Sequence, residues 1–152
     1  MIEFQNVTKI FDDGTTAVDE LSFEIREGET VGLIGTSGCG KTTTLKMINR
    51  LVEPTSGTIK INGVDSISQD PEKLRRQMGY VIQDVGLFPH YSVQENIATV
   101  PKLLDWDDRR TVSRSKELLQ MVGLDPETYA DRRPDSLSGG QQQRVGLARA
   151  LA

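Results

Sequence analysis

The stretch of this chain with the clearest chemistry is a glycine-rich segment that ends in Lys-Thr. It reads Gly35-Thr36-Ser37-Gly38-Cys39-Gly40-Lys41-Thr42 and matches the pattern G-x-x-x-x-G-K-[ST] in full. Its glycines let the backbone approach a ligand closely, so that successive N–H groups face an anion. Lys41 supplies a cation for β- and γ-phosphates, and the Thr42 hydroxyl suits Mg²⁺. With Thr43 in the first helical turn, these residues predict a polyphosphate site.

Such a loop holds phosphate only if a strand leads into it and a helix leaves it. Residues 30–34 form a short apolar run behind the turn at 27–29, which predicts a buried strand. A helix is predicted from Lys41 onward, because apolar residues recur at helical spacing. These residues are Leu45, Ile48 and Val52. Strand, loop and helix therefore follow in the required order.

Length and composition describe an ordinary globular chain. Its 152 residues suit one domain, and a net charge of −4 argues against a broad nucleic-acid or anionic-lipid surface. The single cysteine, Cys39, excludes an internal disulfide framework, and we interpret it as a spacer whose backbone N–H is the useful group. The N-terminus lacks the features of a secretory signal, and no apolar stretch approaches the roughly 20 residues of a membrane helix. Any membrane connection is expected to run through a partner protein.

The first third of the chain is typical of antiparallel strands. Apolar and polar residues alternate over 2–4 and again over 21–25. After the phosphate loop and its helix, residues 58–61 alternate into Asn62-Gly63, a two-residue turn signal with a strong hairpin preference. We therefore expect an antiparallel layer beside a parallel nucleotide-binding layer.

A helix and then another buried strand are predicted next. Asp70 is a natural N-cap with Pro71 at the first helical position. The basic residues that follow are interpreted as a solvated face: Lys73, Arg75 and Arg76. Residues 79–83 read as a strand that ends in Gln83, at the edge where parallel sheets collect their ligands. Two roles suit Gln83 equally well. It is either a turn residue at the end of the strand or a group that senses Mg²⁺ or the attacking water.

The middle of the chain looks mainly helical. A capping-box pattern at 92–95 opens a helix that Pro101 ends or kinks. A longer helix is expected to begin at Asp107 or Asp108 and to stop at Gly123. The side chains expected to face inward from it are Val112, Leu118, Leu119 and Val122.

A loop before these helices carries the only histidine, His90, with Phe88 and Tyr91 beside it. No partner that would orient a catalytic base can be named, so we interpret His90 as an exposed loop residue. The two aromatic residues fit internal packing and contact with a partner protein equally well.

A second segment with possible ligand chemistry is Leu137-Ser138-Gly139-Gly140-Gln141. Ser138 is a natural helix cap, and the two glycines bring bare N–H groups to the start of a helix in which Leu147 and Leu151 are spaced for one face. Alone, this pattern fits a plain loop better than a site. Downstream of a phosphate loop on the same chain, it becomes highly specific.

Taken in order, the loop at 35–42, Gln83 and the segment 137–141 resemble the ATP-binding cassette (ABC) family, over all 152 residues. The resemblance implies an α/β P-loop NTPase cassette, in which a mixed sheet combines an antiparallel β layer and a parallel nucleotide-binding core, with a helical subdomain. It implies ATP and Mg²⁺ as cofactors, Lys41 and Gln83 as catalytic residues, and Thr42 and Gln83 as metal ligands.

The resemblance also implies that a second ATP-binding subunit completes the site. Cassettes of this family dimerise head to tail, and each ATP lies between one phosphate loop and the partner's signature. The residues that would serve the partner's ATP are Ser138, Gly139, Gly140 and Gln141. Phe11 falls where the family places an aromatic side chain that stacks on adenine; tyrosine is commoner there, but stacking needs only the ring face.

Several shorter stretches look like the cassettes of bacterial importers for glycine betaine, carnitine, choline or proline. They are residues 69–71, 74–76, 79–83, 86–90 and 100–104. This resemblance implies integral membrane permease subunits that contact the loop after Gln83, and an extracytoplasmic solute-binding protein reached only indirectly. It implies a cytoplasmic location, peripheral on the inner face of the bacterial membrane. No nucleic-acid partner is expected.

Set against the family, the chain stops before the strand that carries the Mg²⁺-binding aspartate and the catalytic glutamate. We therefore expect the first two thirds of a cassette: 1–83 as the N-terminal part of the ATP-binding core, 84–136 as the helical subdomain, and 137–152 as the signature with its helix. Hydrolysis in the intact protein would be in-line attack of water on the γ-phosphate. These 152 residues alone are expected to bind nucleotide weakly and to lack the base.

Two other readings stay open at this point. The first is a nucleotide-binding module that never catalyses. The second is a soluble ABC ATPase of DNA repair or translation, although residues 84–136 are too compact for the coiled-coil arm that some of those proteins carry.

Overall fold

The computed structural model describes residues 1–82 and 85–152. The prediction for Gln83 therefore lies outside the described residues. The chain divides into two compact units, Met1–Gln77 and Met78–Ala152. The predicted division at 83/84 and 136/137 stays a prediction. Within the described ranges, no helix is long and apolar enough to cross a membrane.

The first unit is built on a four-stranded antiparallel sheet with the order β2-β1-β3-β4. Its strands are β1 (Ile2–Ile10), β2 (Thr16–Ile25), β3 (Ser56–Ile61) and β4 (Val64–Asp65). In the register, Phe4 of β1 lies opposite Phe23 and Ile59 of its two neighbours. The rings of Phe4 and Phe23 stack with centroids 4.5 Å apart, and Phe4 and Ile59 are buried. The antiparallel layer predicted from the alternating residues is confirmed.

The hairpin predicted at Asn62-Gly63 is also confirmed. Ile61 pairs with Val64 across the turn. Asn62 has a φ of 51° and Gly63 a φ of 79°, which are the left-handed angles that a two-residue turn of this type requires. Local turn chemistry therefore decides where β3 ends and β4 begins.

The helix predicted after the phosphate loop is α1 (Lys41–Ile48), and it ends before Val52. Its buried side chains are Thr44 and Met47, whereas Leu45 is 47% exposed. The predicted helix is confirmed, but the apolar residues that predicted it are not its buried ones, because packing against β2 rather than apolar content decides which face of α1 is covered.

Two predicted core strands do not form. Residues 30–34 and 79–82 carry no strand assignment, and Ile34 is 97% exposed. A strand exists only where a neighbouring strand takes its backbone hydrogen bonds, and no described segment pairs with these two runs. The two apolar runs predicted strands, but the described part of the chain offers neither run a neighbouring strand to pair with.

The second unit is helical. Its helices are α3 (Val93–Ile97), α4 (Thr99–Leu103), α5 (Asp108–Met121), α6 (Pro126–Tyr129) and α7 (Gly139–Ala150), while α2 (Pro71–Arg76) belongs to the first unit. Three of them pack on one core of buried aliphatic side chains: α3, α5 and α7. The core includes Val93, Ile97, Leu118, Leu119, Leu124, Val145 and Ala148.

Most of the predicted helix ends are confirmed. Asp70 accepts a hydrogen bond from the Lys73 N–H at 2.9 Å, and Asp107 accepts one from the Arg110 N–H at 2.9 Å. The helix that the capping box opens ends at Ile97, and α4, which contains Pro101, follows directly after Ala98. The capping box at 92–95 forms as predicted.

The inward face of α5 was only half right. Leu118 and Leu119 are fully buried, but Val112 is 37% exposed. Thr111 and Ser115 are buried in its place, and the Ser115 hydroxyl donates to the Thr111 carbonyl at 2.8 Å. A hydroxyl that bonds within its own helix, as that of Ser115 does, can be buried cheaply, which an apolar pattern does not reveal.

Candidate functional site

The phosphate loop is wrapped around the side chain of Lys41. Its ammonium group donates to the carbonyl oxygens of Gly35 at 2.8 Å and Thr36 at 2.7 Å, and it lies 3.4 Å from the Cys39 Sγ. The charge that would neutralise a phosphate is therefore held at the mouth of the loop by backbone dipoles. Carbonyl oxygens carry no formal charge that would compete with an anionic ligand for this ammonium.

Gly40 locks the end of this loop against the sheet. It has a φ of 88°, and a Cβ at this position would overlap the Ala17 carbonyl oxygen and lie 3.2 Å from the Val18 Cγ2. From the other side, the Gly40 carbonyl accepts the Thr44 N–H at 2.8 Å and the Thr44 hydroxyl at 3.0 Å. Only glycine satisfies both the angle and the close approach, so α1 starts at one defined place over β2.

The predicted Mg²⁺ ligand Thr42 is exposed at the first turn of α1. Over residues 1–82 and 85–152, no three acidic, histidine or cysteine side chains come together as a metal site. One hydroxyl suits Mg²⁺ only as a minor ligand, since this ion is usually shared among a few protein oxygens, water and substrate phosphates. The donor set therefore fits Mg²⁺ carried by a nucleotide.

Phe11 lies just after β1, outside the sheet core. Its ring is 40% exposed, with the Lys9 ammonium 5.3 Å from the ring centroid. The preceding residue pairs with Thr16, next to the Ala17 carbonyl that Gly40 approaches. The ring is thus on the same strand pair as the phosphate loop, as a ligand-stacking residue would need to be.

Sequence reasoning missed two arginines behind the loop. Arg75 is exposed, as expected of a solvated face, and its guanidinium also donates to the carbonyls of Asn49 at 3.0 Å and Arg50 at 2.6 Å, at the end of α1. The side chain of Arg50 is only 10% exposed and donates to the carbonyl oxygens of Ser66, Ile67 and Gln69. Cations at a helix C-terminus are favourable, and these two fix the far end of α1.

The segment 137–141 forms the N-terminus of α7 as predicted. The Ser138 hydroxyl accepts the Gln141 N–H at 3.3 Å, and the Gln141 side chain accepts the Ser138 N–H at 2.8 Å. The side-chain amide of Gln141 also donates to the Tyr129 hydroxyl at 3.0 Å. A Cβ at Gly139 or Gly140 would meet no atom within 4 Å. The chain's own packing does not require glycine at either position.

Val85, two residues after Gln83, is the first residue of the second described range. Val85 has a φ of 56°, and its carbonyl oxygen accepts a hydrogen bond from Arg149 of α7 at 2.8 Å. The half-buried position of Arg149 lowers the pKa of its guanidinium, which nevertheless stays charged. No sequence signal pointed to this contact, because it joins residues far apart in the chain.

The loop around His90 presents a small aromatic cluster. The ring centroids of Phe88 and Tyr91 are 5.3 Å apart, and those of His90 and Tyr91 are 4.5 Å apart. Phe88 and Tyr91 are about two-fifths exposed, at 40% and 38%. His90 is exposed, as predicted. Each aromatic ring is therefore partly packed and partly free to meet a partner.

Comparison with known proteins identifies a family whose model matches this chain. The family model described as ABC transporter matches residues 18–152. The chain is 56% identical over its whole length to the carnitine transport ATP-binding protein OpuCA of Listeria monocytogenes, and 53% to the glycine betaine/carnitine/choline transport ATP-binding protein OpuCA of Bacillus subtilis. It covers 38% and 40% of those proteins.

Solved structures agree with this match. A bacterial ABC transporter cassette, described as dimeric, is 37% identical with a TM-score of 0.90. The match spans all of this chain and 69% of that cassette. A dimeric cassette in a post-hydrolysis state, described as bound to ADP and Pi, is 36% identical with a TM-score of 0.87 and the same coverage. The predicted cassette fold is therefore confirmed, although two of its expected strands have no partner among the residues that the structure describes.

Proposed function

Because the chain belongs to the ABC transporter family, we propose that it is the nucleotide-binding part of an ATP-hydrolysing subunit that energises an importer. The observation that carries this proposal is the loop at 35–42, with the Lys41 ammonium held on the carbonyls of Gly35 and Thr36. No other described feature combines a fixed cation with loop amides at the start of a helix of this length.

In this proposal, the phosphates of ATP take the place beside Lys41. Loop amides from Gly35 to Thr43 bind the phosphate oxygens, the Thr42 hydroxyl holds Mg²⁺ that arrives with the nucleotide, and the Phe11 ring stacks on the base. Mg²⁺ supplies Lewis-acid stabilisation of charge on the γ-phosphate when bound. Gln83, as a further metal ligand and orienter of water, completes the proposed site.

A second copy is proposed to complete the site from outside. At Gly139 and Gly140 the space beside each Cα is open, and the N–H groups at the start of α7 are exposed. Since the fold does not require glycine at these two positions, we attribute the glycines to an outside group that approaches the backbone closely. We therefore propose that residues 138–141 bind the ATP held by a second ATP-binding subunit, in a head-to-tail dimer.

The transported solute is proposed from the relatives alone. Two proteins more than 50% identical over this whole chain are named for carnitine, glycine betaine or choline transport, so we propose a quaternary amine or related osmoprotectant. The half-exposed rings of Phe88 and Tyr91 support contact with a membrane permease subunit at the inner face of the membrane. A solute-binding protein would act through that permease. The relatives named here are transport proteins, so nothing favours a DNA-repair or translation ATPase.

The 152 residues by themselves are proposed to bind nucleotide weakly and to hydrolyse it poorly. The run that leads into the loop has no strand partner in the described part of the chain, and Ile34 is 97% exposed. A ligand that needs a fixed loop must then order this run on binding, which costs free energy.

Calorimetric titration of ATP and Mg²⁺ into the chain tests the proposal. Lys41→Ala is expected to weaken ATP binding at least about tenfold, because the ammonium group at the loop mouth is lost. Lys46→Ala is the matched control, since Lys46 is exposed on the last turn of the same helix. Equal losses for both variants, or no ATP binding by the wild-type chain at millimolar concentration, would overturn the proposal.

A further inference from the structure

The turn directly after Gln83 has a backbone that its side chain disfavours. Val85 has a φ of 56°, in the left-handed region that β-branched residues rarely enter. Its N–H nevertheless donates to the Ile82 carbonyl at 3.1 Å. A conformation of this kind persists only where surrounding contacts hold it, and such positions cluster at functional sites.

The contacts that hold this turn come from Arg149 of α7. Its two terminal nitrogens donate to neighbouring carbonyl oxygens, at 2.8 Å for Val85 and 2.7 Å for Gly86. Its guanidinium carbon lies 6.0 Å from the centre of the Phe88 ring. A planar fork that binds two successive carbonyls fixes both the position and the direction of the turn.

The same helix also meets the chain before Gln83. A Cβ at Gly79 would overlap the Ala150 carbonyl oxygen, and a Cβ at Gly146 would lie 2.9 Å from the Val85 Cγ1. The second half of α7 therefore approaches the segment closely on both sides of Gln83. The first turn of that helix carries Ser138–Gln141, the proposed contact with a partner's nucleotide.

We propose that Arg149 is a positioning residue, whose two hydrogen bonds hold the strained turn at Val85–Gly86 against the helix that begins at residues 138–141. A shift of that helix is then passed to the segment that carries Gln83. This inference rests on the proposed function, because the position of Gln83 matters to the reaction only if nucleotide is bound and hydrolysed.

Arg144 offers a comparison on the same helix. Its guanidinium also donates to two successive carbonyls, at 3.3 Å for Val122 and 3.1 Å for Gly123, where α5 ends. Those carbonyls belong to an ordinary helix end, not to a residue with a disfavoured backbone. A purely structural role would make the two arginines alike in their effects, and a positioning role would not.

Amide hydrogen exchange followed by NMR in the 152-residue chain tests the proposal. The reporters are the N–H of Val85, bonded to Ile82, and the N–H of Phe88, bonded to the Asn96 Oδ1 at 2.8 Å. Arg149→Met, which keeps the stem and removes the donors, is expected to speed exchange of both about tenfold or more. Arg149→Lys should give about threefold, because one ammonium replaces a fork.

Two further variants separate positioning from packing. The control Arg144→Met should speed exchange at Gly123 and change Val85 by less than about twofold. Val85→Asn in the Arg149→Met background should restore most of the protection at Phe88, because Asn accepts left-handed angles. The inference would be overturned if the Val85 and Phe88 amides exchange no faster in Arg149→Met than in Arg144→Met. It would also be overturned if Val85→Asn gives no rescue.

Two outcomes need separate interpretation. If Arg149→Met does not fold, Arg149→Lys decides: faster exchange at Val85 supports the inference, and wild-type exchange overturns it. Addition of ATP and Mg²⁺ to the wild-type chain tests the proposed function alone, through the amide resonances of residues 36–42. If these resonances do not shift, the proposed nucleotide site is wrong. The exchange result for Arg149 stands independently of that outcome.

Discussion

The phosphate loop at 35–42 and the signature segment at 137–141 are both glycine-rich helix starts, yet their glycines serve different purposes. Gly40 sits against the Ala17 carbonyl with a left-handed φ of 88°. Gly139 has open space where its Cβ would be. Gly40 is thus required by packing within its own chain, whereas the space beside Gly139 is open.

Alanine at the two glycines should separate these roles most strongly. Gly40→Ala is expected to cost about 2–3 kcal/mol of unfolding free energy, since the added methyl group overlaps β2 and the angle is disfavoured. Gly139→Ala should be neutral or stabilising by up to about 1 kcal/mol, because alanine is the better helix former. Urea denaturation of both variants measures the difference. A Gly139→Ala loss as large as that of Gly40→Ala would show that the signature glycine is structural.

The Ser138 cap should contribute less. Ser138→Ala is expected to destabilise the chain by about 1 kcal/mol, because the Gln141 N–H loses its acceptor. Ser113→Ala, at an exposed position on α5, is the control and should change stability by less than about 0.5 kcal/mol. Thermal melts of the two variants give the comparison. If Ser138→Ala melts like the control, α7 is held by its core contacts alone.

The smallest effect should come from pH, because the two capping boxes of the second unit differ in chemistry. Hydrogen bonds from Ser92 lower the pKa of Glu95 below its ordinary 4.5, whereas Gln141 does not titrate. A lowered pKa in the folded state gives stability that is present above 4.5 and lost as pH falls through the folded-state pKa. Melts from pH 6 to pH 3 should therefore fall further for the wild type than for Glu95→Gln. Parallel curves would exclude a contribution from the carboxylate.

Local signals predicted much of the fold and most of the candidate site. The hairpin at Asn62-Gly63 and the cap at Asp70 depend on residues within a few positions of each other, so their chemistry is readable along the chain. The loop at 35–42 was recognisable for the same reason. Contacts between distant residues were not predicted, as at Arg75, whose acceptors at Asn49 and Arg50 no local pattern indicates.

The amino-acid sequence by itself determined the helix starts, the tight turns and the order of the two glycine-rich segments, because those depend on short-range backbone geometry. Packing in the folded chain settled which face of α5 is buried, that residues 30–34 pair with no strand among residues 1–82 and 85–152, and that Val85 is held in a left-handed conformation by Arg149. Each of these outcomes depends on which distant groups are close enough to pack or bond, and that is a property of the folded chain.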